Sequence, residues 1–222
     1  MISNNLYVIA AICGNFWQES QVNPGAWEGW TVGNPGYGLG QWTDNPPVVM
    51  RRTALFDWMD ANNYAHDSGP GQLAFLIHED LWIPSLFQQS AYNTMTEFLQ
   101  STSTDMQALV REWMYHWEGI DDGSFNTRWA AALDFLNFYT DNSGSTYREP
   151  WYSGNYQISF NQACWNAMHI FDFFLEEEPP GPEPPEPPEP PEPPEPPTDD
   201  ELIALLNLAR KKKMKGGIFI IW

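Results

Sequence analysis

Apolar residues recur every three or four positions along most of the first 142 residues, the spacing of one face of an α-helix. The first such segment follows Asn4 and Asn5, either of which can cap a helix. Its apolar positions are Leu6, Ile9, Ala10, Cys13, Phe16 and Trp17. The same spacing predicts further helices at 50–61, 71–82, 92–100 and 126–139.

Two other sequence patterns within residues 1–142 predict a further helix and a long loop. Thr104 and Gln107 form a capping-box pattern that predicts a helix over 105–119. Residues 21–47 are rich in Gly, Pro and Asn and predict a long loop, with a small hairpin in 27–42 as the one place for strands. We therefore expect residues 1–142 to form a mainly α domain that carries a glycine-rich loop or small hairpin.

The remaining chain divides by composition. Residues 143–156 are a turn-rich connector, and 161–178 predict one more helix that packs on the domain or on another subunit; together, 143–178 form a connector region. Residues 179–197 repeat Pro-Pro-Glu, which predicts an extended polyproline II rod about 60 Å long at ~3.1 Å per residue. Residues 198–222 predict a short amphipathic helix followed by an apolar tail, "IFIIW".

Charge narrows the choice of partners. The chain of 222 residues has a formal net charge of −19, and all of its lysines lie in 211–215. Nucleic-acid binding needs Lys and Arg at the phosphates, so we expect no nucleic-acid partner. The 12 tryptophans suit a surface for carbohydrate or protein as well as an aromatic core. Cys13 and Cys164 lie in apolar runs, which favours buried thiols over a disulfide.

The stretch "GNFWQES" (14–20) places a carboxylate, Glu19, at the end of the first predicted helix. Apolar neighbours and the negative end of the helix dipole both favour the protonated form of a carboxyl group. A carboxylic acid that keeps its proton near neutral pH can protonate a departing glycosidic oxygen. A glutamate at a helix end is, however, more often a solvated surface residue, so this stretch alone does not indicate a site.

A second stretch, "GYGLGQWT" (36–43), favours a functional site at Glu19 over a solvated surface residue. Its glycines allow a ligand to approach the backbone, Tyr37 and Trp42 can stack on sugar rings, and Gln41 offers an amide. The segment lacks the Lys-Ser/Thr ending and the glycine spacing of a phosphate loop. The four histidines show no metal-binding spacing either, so we expect neither a metal nor a cofactor.

The ordered series "AAICGNFWQES", "NPGAWE", "GYGLGQWT" and "RRTALFDW" resembles the phage tail lysozyme family over about residues 4–140. It is more distantly similar to goose-type lysozymes and soluble lytic transglycosylases. The resemblance implies a lysozyme-like helical fold, a virion location in the phage tail, and action on peptidoglycan at the host cell wall. One difference is the segment "DNPPVVM" (44–50), which lengthens the spacing before the arginines.

The resemblance also implies roles for particular residues. Glu19 matches the general acid, and Ser20 hydrogen-bonds near it. The residues that would line the glycan subsites are Tyr37, Gln41, Trp42 and Thr43. Arg51 and Arg52 match the arginine pair that opens the next helix, and Glu118 in "YHWEG" matches a later cleft residue.

The second catalytic group stays open among three carboxylates. Asp44 directly follows the glycine-rich stretch and is the first candidate for a base that orients water; Glu118 is the second and Glu28 the third. The alternative for Asp44 is a helix cap ahead of Pro46 and Pro47. In the transglycosylase relatives the sugar's own hydroxyl group attacks instead, so hydrolysis and anhydro-forming cleavage are both compatible with the sequence.

These observations give two hypotheses from different classes. The first is a tail muramidase that opens the wall during DNA delivery. The second is a non-catalytic lysozyme-fold module of the tail tip. In both, residues 198–222 dock on other tail or virion proteins; a membrane contact by the basic and apolar segment 211–222 is the alternative.

Overall fold

The computed structural model describes residues 3–47, 49–84, 87–142 and 152–175, and side chains as far as Phe171. The described part is mainly helical, as predicted, with a small three-stranded sheet, which is consistent with a lysozyme-like helical domain. Its α-helices are α1 (Leu6–Ser20), α2 (Arg51–Ala61), α3 (Gly69–Glu79), α4 (Met95–Leu99), α5 (Met106–Trp113), α6 (Phe125–Asn142) and α7 (Phe160–Leu175). The predicted rod and the segment 198–222 lie outside the described residues.

Helix α1 is the central helix of the core. Asn5 caps it by accepting a hydrogen bond from the Tyr7 N–H at 3.0 Å, and Gln21 ends it in the left-handed conformation. Residues on every side of α1 are buried, because α5, α6 and α7 all pack against it. A helix that is apolar all round is expected to lie inside a domain, and Glu19 emerges where this helix leaves the core.

Gly14 allows α6 to approach α1 closely. A Cβ atom at this position would lie 2.4 Å from the carbonyl oxygen of Arg128 and 2.7 Å from the Cβ of Ala132. Real side-chain carbons do not come so near to backbone oxygen, so only glycine permits this separation. The approach brings Arg128 on α6 directly beside the C-terminal half of α1.

Helix α5 begins one residue later than the capping box predicts. Asp105, rather than Thr104, is the cap and accepts from the Ala108 N–H at 3.1 Å. A π-helical turn, Met114–Glu118, extends α5, and Gly119 ends it with a φ of 74°. Because a π turn adds a residue to the helical repeat, it rotates the side chains that follow it. This is the turn that carries Glu118.

The sheet is larger than the predicted hairpin. Strands β1 (Gly36–Tyr37), β2 (Trp42–Asn45) and β3 (Val49–Met50) form an antiparallel meander in the order β1-β2-β3. Tyr37 pairs with Trp42 and Asp44 with Met50. The extra strand lies in the segment 44–50, so this segment links the glycine-rich stretch to α2 by strand pairing.

Three further predictions have an outcome in the structure. Helix α3 starts at the Ser68 cap and ends at Glu79, not at residue 82, because Asp80 adopts a left-handed conformation with a φ of 43°. Helix α7 packs on the domain, against α1, α3 and α6. Cys13 and Cys164 are free and buried. Within the described ranges, no helix is long and apolar enough to cross a membrane.

Candidate active site

An open cleft of about 380 Å³ lies between the end of α1, the sheet and the π turn. Three of its lining residues, Glu19, Glu28 and Glu118, are carboxylic acids that the sequence singles out. The others are Gly29, Gly40, Gln41, Thr43, Asn45, Val49, Arg51, Trp117 and Ile120. The cleft therefore combines acidic groups, an aromatic ring, amides and a guanidinium group, a lining suited to a polar ligand such as a glycan.

Glu19 reaches this cleft from the last turn of α1, with 23% of its side chain exposed. The surroundings differ from the apolar ones that the sequence predicts. Phe16 turns into the core, and Trp17 packs edge-on against Phe160 with 4.9 Å between ring centres. The nearest strong contact of Glu19 is polar: Arg128 Nη2 donates to its Oε1 at 2.6 Å.

Arg128 is fully buried and joins several groups around the cleft. Besides Glu19, its guanidinium donates to Glu118 Oε2 at 2.6 Å and to Asn15 Oδ1 at 3.1 Å. Its Nε donates to Ser124 Oγ at 2.6 Å. A buried cation is stable only with charged or hydrogen-bonded partners, and here α1, the π turn and its own helix supply them.

Glu118 is the more enclosed of the two acids, with 5% of its side chain exposed. Burial raises the pKa of Glu118 well above its ordinary value, and the negative charge of Glu19 raises it further, while the Arg128 cation opposes both. Interaction with the Glu19 side chain thus acts on the pKa of Glu118 in the same direction as burial. Glu118 therefore favours its protonated form more strongly than an exposed glutamate does.

Arg51 presents the guanidinium group that lines the cleft. It forms a bidentate pair with Glu79 through distances of 2.8 and 2.9 Å, and its charged end lies 4.7 Å from the centre of the Trp117 ring. Trp42 donates from Nε1 to the same Glu79 at 3.3 Å. The stacked and doubly bonded geometry fixes Arg51 against the cleft wall.

The glycine-rich stretch forms the opposite wall and supplies Gln41 and Thr43 to the cleft, as the sequence predicts. Ser20 holds this wall to α1 by donating from its buried hydroxyl to the Leu39 carbonyl at 2.8 Å. At Gly40 a Cβ atom would lie 2.2 Å from the Trp117 ring, so glycine is required for this contact. Ser20 thus positions the loop and is itself not part of the cleft lining.

Tyr37 and Trp42 are buried below the cleft rather than facing it. Tyr37 packs edge-on against Trp27 and Phe56, and Trp42 against Trp117. Both rings support the cleft from inside the core, so the structure gives neither of them a free face on which a sugar could stack. Their proposed contact with glycan stays a prediction.

Asp44 and Arg52 also lie outside the cleft lining and bind each other at 3.0 Å. Asp44 accepts two more hydrogen bonds, from the Thr53 N–H at 3.1 Å and the Thr53 hydroxyl at 2.8 Å. Burial opposes its ionisation, but these bonds and the Arg52 charge hold the pKa of Asp44 below its ordinary value. Since Thr53 is in the first turn of α2, these contacts favour the helix-capping alternative for Asp44 over the role of a base.

The sequence reasoning missed Arg128, although a signal exists. The buried positions of α6 are Arg128, Ala131, Ala132 and Phe135, at helical spacings of three, four and seven. An arginine on an otherwise apolar face has to be paired inside the fold, and Glu118 and Glu19 were the acids still lacking a partner. Among the described residues, no group of three His, Cys, Asp or Glu side chains could hold a metal ion.

A mainly helical domain with a helix-ending glutamate on an open cleft, walled by a glycine-rich turn and a small sheet, defines a lysozyme-like protein. The family model for phage tail lysozyme matches residues 5–139, and the chain therefore belongs to the phage tail lysozyme family. A search of curated proteins found no match. Membership in this family indicates a lysozyme-like function that acts on peptidoglycan in a phage tail context.

Proposed function

We propose that this protein is a tail-associated muramidase with Glu19 as its general acid. It cleaves the β-1,4 bond between N-acetylmuramic acid and N-acetylglucosamine and so opens the cell wall locally during DNA delivery. The family supports action on peptidoglycan, and one observation carries the choice of residue: Glu19 reaches an open cleft while a buried guanidinium fixes its carboxylate at 2.6 Å.

The openness of the cleft favours catalysis over a purely structural module. A non-catalytic reading would be favoured by a groove covered by the helix that contains "FDFF". That helix, α7, packs against α1, α3 and α6, and none of its described side chains is among the cleft-lining residues. This absence among the side chains described as far as Phe171 supports access of a glycan strand to Glu19.

The chemistry follows from the positions of the acids. Glu19 donates a proton to the glycosidic oxygen, the bond to the sugar C1 breaks, and negative charge nearby stabilises the oxocarbenium-like transition state. Glu118, which shares Arg128 with Glu19, is the second carboxyl group that this geometry favours. Glu28 also lines the cleft but binds the Gly36 N–H, and Asp44 lies outside the cleft lining. Water completes a hydrolysis, and attack by the sugar's own hydroxyl would give an anhydro product.

Delivery on a particle is consistent with the charge. Residues 1–175 contain 18 acidic and 5 basic side chains, so this part of the chain is repelled by anionic cell walls. An enzyme tethered to a virion does not need electrostatic attraction to find its substrate. We propose that residues 179–197 act as the spacer and 198–222 as the docking segment for other tail proteins.

The test compares Glu19→Gln with the parent on purified peptidoglycan, with mass spectrometry of the released muropeptides. We expect a loss of about 10²-fold or more, the usual contribution of a general acid. Asp57→Asn, an exposed change on α2, is the matched control and should cleave normally. Parental cleavage by Glu19→Gln would refute the assignment, and a parent that releases no product would favour the structural module. The reducing or anhydro ends separate hydrolysis from transglycosylation.

A further inference from the structure

Three side chains from three separate elements meet behind the cleft: Glu19 from α1, Glu118 from the π turn and Arg128 from α6. One guanidinium binds both carboxyl groups at 2.6 Å, through Nη2 to Glu19 and through Nη1 to Glu118. Glu118 Oε1 is buried and has no hydrogen-bond partner among the described residues. This arrangement gives two acids a single counter-charge.

We propose that Glu19 and Glu118 work as one unit that holds a single shared proton, and that Arg128 is the positioning residue that fixes both carboxyl groups and balances the charge left on them. The inference rests on the proposed function, since it concerns how the general acid of that site is supplied with its proton.

Charge balance supports a single proton. With one proton on the pair, one negative charge faces one positive charge in a region where Arg128 is fully buried and Glu118 almost so. Without a proton, two anions share one cation at low dielectric, which is costly. With two protons on the pair, Arg128 keeps only the longer contact of 3.8 Å with the half-exposed Asp122. The pair with one proton is therefore the resting state, and the proton can lie on either acid.

The other charged groups around the pair do not supply a second counter-charge. Asp122, which follows the π turn, lies 3.8 Å from Arg128 Nη2 and adds negative charge, although it is half exposed and also bonded to Ser124. Arg51 on α2 is already paired with Glu79 on α3. Glu28, on the far wall, accepts from the Gly36 N–H at 3.1 Å.

The proton balance of a turnover follows directly. Glu19 gives the shared proton to the glycosidic oxygen, which leaves as a hydroxyl group when its bond to C1 breaks. The pair is then doubly negative at the moment when positive charge develops on the sugar, and Arg128 limits the cost of that state. The attacking water or sugar hydroxyl forms the new bond to C1 and releases one proton, which returns to the pair. One proton leaves and one returns.

The first test is the pH profile of kcat for Glu118→Gln. The amide mimics a protonated Glu118 permanently and donates to an ionised Glu19, so the shared proton is lost. We expect the alkaline limb to move to lower pH and kcat at pH 7 to fall by about 10²-fold, while the thermal unfolding temperature stays close to that of the parent. An alkaline limb at the parental pH would overturn the proposal.

The second test does not depend on turnover. Carboxyl ¹³C NMR of the full-length protein follows the titration of Glu118 in the parent and in Glu19→Gln. Because the negative charge of Glu19 is one cause of the raised pKa of Glu118, we expect that pKa to fall in the variant. An unchanged titration would overturn the shared proton even if the protein proves to be a muramidase. A changed titration in a protein without muramidase activity would leave the pair intact and refute only the proposed function.

A third comparison isolates Arg128. Arg128→Lys keeps the charge but can reach one carboxyl group at a time, whereas Arg128→Gln removes the charge. We expect Arg128→Lys to be at least about 10-fold more active than Arg128→Gln, with both below the parent. Equal, parental activity in both variants would overturn the role of Arg128. If Arg128→Gln does not fold, the Glu118→Gln profile and the NMR titration decide the question.

Discussion

Replacing Gly14 with alanine tests the close approach that brings Arg128 to the two acids. The new methyl group would lie 2.4 Å from the Arg128 carbonyl oxygen and 2.7 Å from the Ala132 Cβ. Ordinary contact distances are about 3.5 Å, so α1 and α6 must separate by roughly 1 Å. Helix α6, which carries Arg128, would thus move away from Glu19 on α1.

The magnitude follows from two opposing effects. Alanine is a better helix former than glycine by about 1 kcal/mol, which alone would stabilise the variant. Overpacking costs about 1–3 kcal/mol. Here we expect a cost at the upper end, because the new methyl group contacts a backbone atom, the Arg128 carbonyl oxygen. We expect a net loss of about 2 kcal/mol, or a melting temperature lower by about 4–8 °C. A displacement of ~1 Å at Arg128 should also lower kcat by about 10²-fold.

The assay combines thermal unfolding followed by circular dichroism with peptidoglycan solubilisation at a temperature where the variant is folded. The matched control compares Gly14→Ala combined with Ala132→Gly against Ala132→Gly alone. Because Ala132→Gly removes one of the three contacts below 3 Å, the loss of stability caused by Gly14→Ala should be smaller in that background. The test depends on whether Gly14→Ala lowers or raises the free energy of unfolding. A variant that is more stable than the parent by about 1 kcal/mol, with full activity, would show that α1 and α6 are not so close and would refute the reasoning.

Three other changes test separate parts of the site. Asp44→Asn should lower the free energy of unfolding by about 1–3 kcal/mol at pH 7, by urea denaturation, because it loses the ionised cap. The lowered pKa of Asp44 means that its contribution is complete above about pH 4 and is lost as the pH falls further, so the difference should shrink at pH 3. Normal cleavage by this variant would support the cap, and a loss of about 10²-fold the base. Gly40→Ala should push Trp117 into the cleft and raise KM for peptidoglycan fragments; an unchanged KM would contradict the contact. Raising the salt from about 10 to 150 mM shortens the Debye length from about 30 to 8 Å and should speed cleavage of whole sacculi by the negatively charged free protein; slower cleavage would contradict the repulsion.

The sequence predicted the candidate site best where its residues lie close together along the chain. Glu19 sits at the end of a strongly periodic helix, and the glycine-rich stretch that follows is short enough to be placed opposite it. Both of these features lie in the cleft. Helix bounds were less accurate, as α3 and α5 show, because single capping residues decide them and Asp105 competes with Thr104 for the role.

The sequence was much less informative where contacts come from distant segments. Arg128 lies 109 residues from Glu19, and helical spacing assigns it to a buried face without naming its partners. The orientation of Glu118 depends on a π turn, for which the sequence contains no periodic signal. Trp42 belongs to the glycine-rich stretch, which suggested a ring for stacking on sugar, yet it is fully buried. The tryptophan that lines the cleft is Trp117, which comes from the distant π turn.

The close packing of α1 and α6 explains why the site combines a glycine at position 14 with the buried cation of Arg128. Two ionised glutamates at the end of α1 and on the π turn would repel each other, and the burial of Glu118 leaves little water to screen them. Only a guanidinium offers two separate donor groups in a rigid plane, and it reaches both acids only because Gly14 lets α6 lie against α1. The close packing of α6 against α1 thereby decides whether one buried cation can reach both acids.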